Sequence, residues 1–69
     1  MEFTIILQKE DEGGYSVSVP ELPGCFSQGE TKEDAMANIR EAMDLYLEEI
    51  EPTKIKELQA KVLIVKAKI

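Results

Sequence analysis

The chain has 69 residues, with 14 acids against eight bases, a net charge of -6, one cysteine and no histidine. A chain this short makes one domain, residues 1–69, with a thin core, so a partner or a second copy is the expected remedy. A lone thiol without histidine excludes an intrachain disulfide and a structural zinc site, and it suits a reducing cytoplasm. No charged-then-apolar leader opens the chain, and the longest apolar run, residues 62–65, is far too short to cross a bilayer, so no membrane role is expected.

The charge is unevenly placed. Residues 1–34 hold eight acids (Glu2, Glu10, Asp11, Glu12, Glu21, Glu30, Glu33, Asp34) and two lysines, whereas residues 35–69 are balanced. An acidic half repels nucleic-acid phosphates and attracts a basic protein; a plain solvating surface is the alternative.

Residues 2–9 alternate, with Phe3, Ile5 and Leu7 on one side and Ile6 as an apolar exception on the other, which predicts a strand with one buried face. Glu10-Asp11-Glu12-Gly13-Gly14 is turn chemistry. Tyr15, Val17 and Val19 then alternate with Ser16 and Ser18, giving the second strand of an antiparallel hairpin. Pro20 and Pro23 end the pairing, because proline has no N–H to give a ladder. Residues 25–28 predict a short third strand that Gly29 ends.

Thr31 with Asp34 three residues on predicts a helix N-cap, and Glu30, Glu33 and Asp34 suit the positive end of the helix dipole. Met36, Ile39, Met43, Tyr46, Leu47 and Ile50 form one apolar stripe, so the helix is expected to reach about Glu51, where Pro52 stops it. Residues 53–59 are consistent with one helical turn or with a loop. Residues 60–69 predict a last strand. Leu63, Val65, Ala67 and Ile69 share one face; Val62 and Ile64 share the other. The expected fold is α+β, with the order β-β-β-α-β, sheet order 3-2-1-4 after a right-handed crossover, and one main helix on one face. Nothing in the chain is expected to cover the other face, around Ile6, Val62 and Ile64, which calls for a second subunit or a partner.

The segment Gly14-Tyr15-Ser16-Val17-Ser18-Val19-Pro20-Glu21-Leu22-Pro23-Gly24-Cys25-Phe26-Ser27-Gln28-Gly29-Glu30-Thr31-Lys32-Glu33-Asp34-Ala35 resembles the signature of the HicB-like antitoxins. The matching parts are a valine-rich strand, Pro-x-Leu-Pro-Gly-Cys, a short strand, Gly-Glu-Thr and an acidic helix start with alanine; Asn38-Ile39 and Ala42 also fit, and the likeness covers about residues 1–50. The resemblance implies a partial RNase H-like domain that binds a small basic RNA-cleaving toxin of the HicA type and occludes it. Many members add an operator-binding domain; this chain has no room for one, so DNA binding is not expected of it. A stand-alone structural or regulatory homo-oligomer without a toxin is the alternative.

The residues point away from catalysis, and no catalytic, cofactor or metal residue is assigned. Nuclease chemistry of the RNase H kind needs carboxylates converging on metal ions, and residues 60–69 hold no acid, while the first strand offers only Glu2 at its end. No histidine stands ready to activate Cys25, which reads as a small buried hydrophobe. Glu10-Asp11-Glu12 lacks the spacing of a calcium loop. Lys54, Lys56, Lys61, Lys66 and Lys68 could face nucleic acid, but the net charge opposes it.

Overall fold

A computed structural model describes residues 2–68. Three strands, β1 (Ile6–Lys9), β2 (Tyr15–Ser18) and β3 (Phe26–Gly29), form an antiparallel meander in the order β1-β2-β3. Two helices follow, α1 (Lys32–Glu49) and α2 (Pro52–Lys61), which makes the chain α+β. The molecule is a slab, 38 × 35 × 17 Å, with α1 laid on one face of the sheet.

Each boundary has a local cause. Glu10 donates its N–H to the Gly14 carbonyl, and Gly13 and Gly14 take the positive φ values of 104° and 81° that close the hairpin. The register sets Ile6 against Ser18 and Leu7 against Val17. Extending it by two residues would set Thr4 against Pro20, where the chain leaves the ladder for a turn. Two successive β-turns follow. Leu22 donates to Val19 O with Pro20 at the second position, and Cys25 donates to Leu22 O with Pro23 at the second and Gly24, φ 83°, at the third.

These turns fold Leu22 and Cys25 inward to join Val17, Val19, Ala35 and Ile39 in the core. Phe3, Ile5, Leu7, Tyr15, Ala42, Met43, Tyr46, Leu47 and Leu58 pack around it, half-buried. Cys25 is thus a core side chain, and burial pushes its thiol pKa up, away from the reactive thiolate.

Thr31 caps α1, its Oγ1 accepting the Asp34 N–H at 3.0 Å, with Glu33 and Asp34 in the first turn. Replacing the cap, Thr31→Ala, is expected to lower stability by about 1 kcal/mol, read as a shift in the urea midpoint. Helix α1 ends at Glu49, two residues short of the expected Glu51, because a residue before proline is held out of the helical region: Glu51 has φ -68° and ψ 139°. Pro52 also opens α2, at the position where its missing N–H costs nothing. Residues 53–59 are therefore helical.

The strand expected over residues 60–69 does not form within one chain. Ala60 and Lys61 continue α2, and residues 62–68 join no strand among the described residues; Ile69 lies outside them. The run Lys56, Glu57, Leu58, Gln59, Ala60, Lys61 consists of strong helix formers, so the helix carries through to the β-branched Val62. Among the described residues the fourth place in the order 3-2-1-4 is unfilled, and the RNase H-like arrangement that needs it is incomplete.

Candidate functional site

Two surfaces stand out, and both follow from strand periodicity. The first is a cleft between the hairpin turn, the end of β3 and the start of α1, lined by Glu10, Glu12, Glu30 and Asp34 with Tyr15 and Asn38. The hairpin places Glu10 and Glu12; Gly29 brings Glu30 and α1 alongside. The close approach is severe: a Cβ on Gly29 would lie 2.4 Å from the Ala35 backbone N. Asn38 fixes the wall, donating from Nδ2 to the Gln28 carbonyl at 2.7 Å. The Glu10 carboxylate accepts the Ser16 hydroxyl at 2.7 Å.

The electrostatics of this cleft are one-sided. Among the described residues one ion pair occurs, Lys54–Glu57 at 3.5 Å on exposed α2, so no lysine or arginine of the chain pairs with the cleft carboxylates. Nor does any group of three or more Cys, Asp or Glu side chains among those residues stand close enough to hold a metal ion. Spread carboxylates of this kind present a broad negative surface rather than a chelating point.

The second surface is the sheet face away from α1. Alternation puts Ile6 and Gln8 of β1, Ser16 and Ser18 of β2, and Phe26 and Gln28 of β3 on it. None of the six is charged, in a chain where 32% of residues are. Ile6 and Phe26, both aligned with Ser18, are 48% and 71% exposed. A shallow groove runs between them.

The acidic residues expected to form an N-terminal surface separate into groups. Glu10, Glu12, Glu30 and Asp34 come together at the cleft. Glu21 leaves that set altogether: it is 8% exposed, and its carboxylate accepts the Thr4 N–H at 3.0 Å and the Thr4 hydroxyl at 2.6 Å. It serves the backbone donor that the ladder abandons at Pro20, a signal available in the register once the hairpin is drawn. Asn38 appears in the sequence only as part of the family resemblance, since nothing in its spacing marks a carbonyl partner ten residues back.

Burial alone would push the Glu21 carboxyl up, but the hydrogen bonds from Thr4 and from its own N–H prevail and hold it below the usual carboxylate range. A carboxyl depressed in the folded state stabilises the fold above its unfolded pKa, and that contribution disappears as pH falls through the folded one. Glu21→Gln is expected to lower the urea midpoint at neutral pH and to converge with the parent chain at strongly acid pH. Parallel midpoint-against-pH curves would contradict this role of the Glu21–Thr4 hydrogen bonds.

The chain matches the model of the HicB_like antitoxin of bacterial toxin-antitoxin system over residues 3–67. It is 50% identical over 50 residues to a UPF0150 protein of Thermoplasma acidophilum, covering 72% of each chain. A UPF0150 protein of Helicobacter pylori is 45% identical over 53 residues, 77% of this chain and 74% of the other. A UPF0150 protein of Synechocystis is 32% identical over 68 residues, 96% of this chain and 93% of its own length. No solved structure matches the chain. With the family match running over nearly its whole length, the chain belongs to the HicB-like antitoxins of bacterial toxin–antitoxin systems.

Proposed function

We propose that this chain neutralises a small, basic, RNA-cleaving toxin of the HicA type by binding and occluding it, without catalysing a reaction, in the cytoplasm. The observation that carries the proposal is the cleft whose four carboxylates, Glu10, Glu12, Glu30 and Asp34, form no ion pair among the described residues. A protein that binds RNA must present positive charge to phosphate. A negative cleft competes for that same surface, so one contact both binds the toxin and keeps RNA away from it. Family membership supplies the biological class; the cleft supplies the chemistry. Its walls come from a tight hairpin and a capped helix, so the backbone that carries the carboxylates is set before a partner arrives, and Ser16 orients Glu10.

The uncharged sheet face supports a second reading, a homo-oligomer whose role needs no toxin, because a chain of net charge -6 meets its own copy most easily where it carries no charge. Co-expression with the small basic protein encoded beside it separates the two. Toxicity of that neighbour alone, relieved by this chain, together with a co-purifying complex, supports the antitoxin reading. A harmless neighbour that forms no complex removes it and leaves the oligomer.

A further inference from the structure

We propose that residues 62–68 of one copy add as a strand to the open edge of β1 in a second copy, so that two chains exchange their C-terminal segments. The segment is built as a strand. Leu63, Val65 and Ala67 alternate with Val62 and Ile64, followed by Lys66 and Lys68, and Val62 is already extended at φ -98° and ψ 118°. Yet Leu63, Ile64 and Val65 are 85%, 56% and 83% exposed within one chain.

The edge that would receive it can be identified from the hydrogen-bond pattern. Glu10 bonds Gly14 across the hairpin, so alternation turns the backbone of Ile6 and Gln8 toward β2 and that of Leu7 and Lys9 outward. Among the described residues no side chain takes those outward groups. The opposite edge differs: Val19 bonds Cys25, which turns Phe26 and Gln28 outward, and there Asn38 already occupies the Gln28 carbonyl. The exposed edge of β1 is thus the one poised for strand addition.

Both faces of the segment find matching neighbours there. Leu63, Val65 and Ala67 would continue the row of Phe3, Ile5 and Leu7, which the chain leaves half-buried at the rim of its core. Val62 and Ile64 would continue the row of Ile6 on the uncharged face. The charges also match: residues 60–69 carry Lys61, Lys66 and Lys68 and no acid, whereas Glu2, Glu10, Asp11 and Glu12 flank β1.

A second copy is favoured over the chain's own β1 by what the chain does alone. Gln59 donates to the Glu2 carbonyl at 2.7 Å, so α2 ends beside Glu2, and residues 63–68 still stay exposed. Packing of the two sheet faces without exchange would cover too little. Three strands of four residues span about 200 Å², against the roughly 800 Å² per partner of a stable interface.

The test uses the full chain alone, so its outcome does not depend on any toxin. Equal amounts of ordinary and ¹⁵N-labelled chain are unfolded, refolded together and treated with an amine cross-linker. Light scattering is expected to give at least twice the chain mass, and Lys9 is expected to link to Lys61, Lys66 or Lys68 in pairs that mix the two isotopes. Val65→Pro removes a ladder donor at a position exposed in the single chain. It is expected to reduce the mass to that of one chain while leaving the helical circular dichroism intact. A parent chain that stays monomeric at 100 μM overturns the proposal. So do cross-links confined to chains of one isotope, or a Val65→Pro variant that keeps the parent mass.

Discussion

Gly29→Ala is expected to lower the stability of this chain by about 3 kcal/mol or more, the upper end for inserting a methyl into a packed site. The added Cβ would sit 2.4 Å from Ala35 N, 2.8 Å from the Asp34 carbonyl carbon and 2.9 Å from Ala35 Cα. All three are backbone atoms in the first turn of α1, so no side chain can swing aside. The strand and helix would have to separate, and Ala35, fully buried beneath that contact, would lose its packing. Gly24→Ala is the informative control. A Cβ there meets nothing within 4 Å, and only the left-handed backbone, φ 83°, is strained, which costs about 1–2 kcal/mol. Urea denaturation of the two variants beside the parent checks the order. Because Gly29 also sets Glu30 and Asp34 against the hairpin, the same substitution should open the acidic cleft.

The second large effect is at Leu22. It lies between two prolines in a loop, yet it is fully buried, among the largest such side chains in the chain with Ile39 and Val17. Leu22→Ala removes three carbons from a closed site, and about 3 kcal/mol is the expected loss. A chain of this length has only about 3–10 kcal/mol of folding stability, so thermal melting should show a substantial unfolded fraction well below the parent transition. An effect below about 1 kcal/mol would mean that the two turns do not pin the loop into the core.

These two sites show what the amino-acid order makes legible and what it hides. The hairpin, the third strand and the capped helix follow from period-two alternation, Gly13-Gly14, and Thr31 with Asp34. All are local patterns in which each residue's neighbours decide its state. The importance of Gly29 is not local: it depends on how closely α1 lies over β3, which no spacing reveals. Glu21 is non-local too, its partner Thr4 being 17 residues away, but there the hairpin register points to the pairing.

Residues 60–69 illustrate the converse. Their alternation is a good strand pattern, but a strand needs an edge to pair with, and within one chain helix propensity carries the backbone to Lys61 and residues 62–68 stay unpaired. The acidic cleft was half legible. The excess of acids in residues 1–34 is evident from the sequence, whereas the grouping of Glu10 and Glu12 with Glu30 and Asp34 requires the fold.

The proposed role rests on that grouping. The most direct measurement is a binding titration of the chain against a basic RNA-cleaving toxin of the class proposed as its partner, for the parent and for the triple variant Glu12→Lys, Glu30→Lys, Asp34→Lys, at low and at physiological salt. Asp34→Lys also reverses a charge at the N-terminus of α1, so circular dichroism of the free variant accompanies the titration. The account predicts that the folded variant binds at least 100-fold more weakly, that it no longer protects RNA from cleavage, and that parent binding weakens as salt rises. A folded variant that binds and protects as the parent does would contradict it.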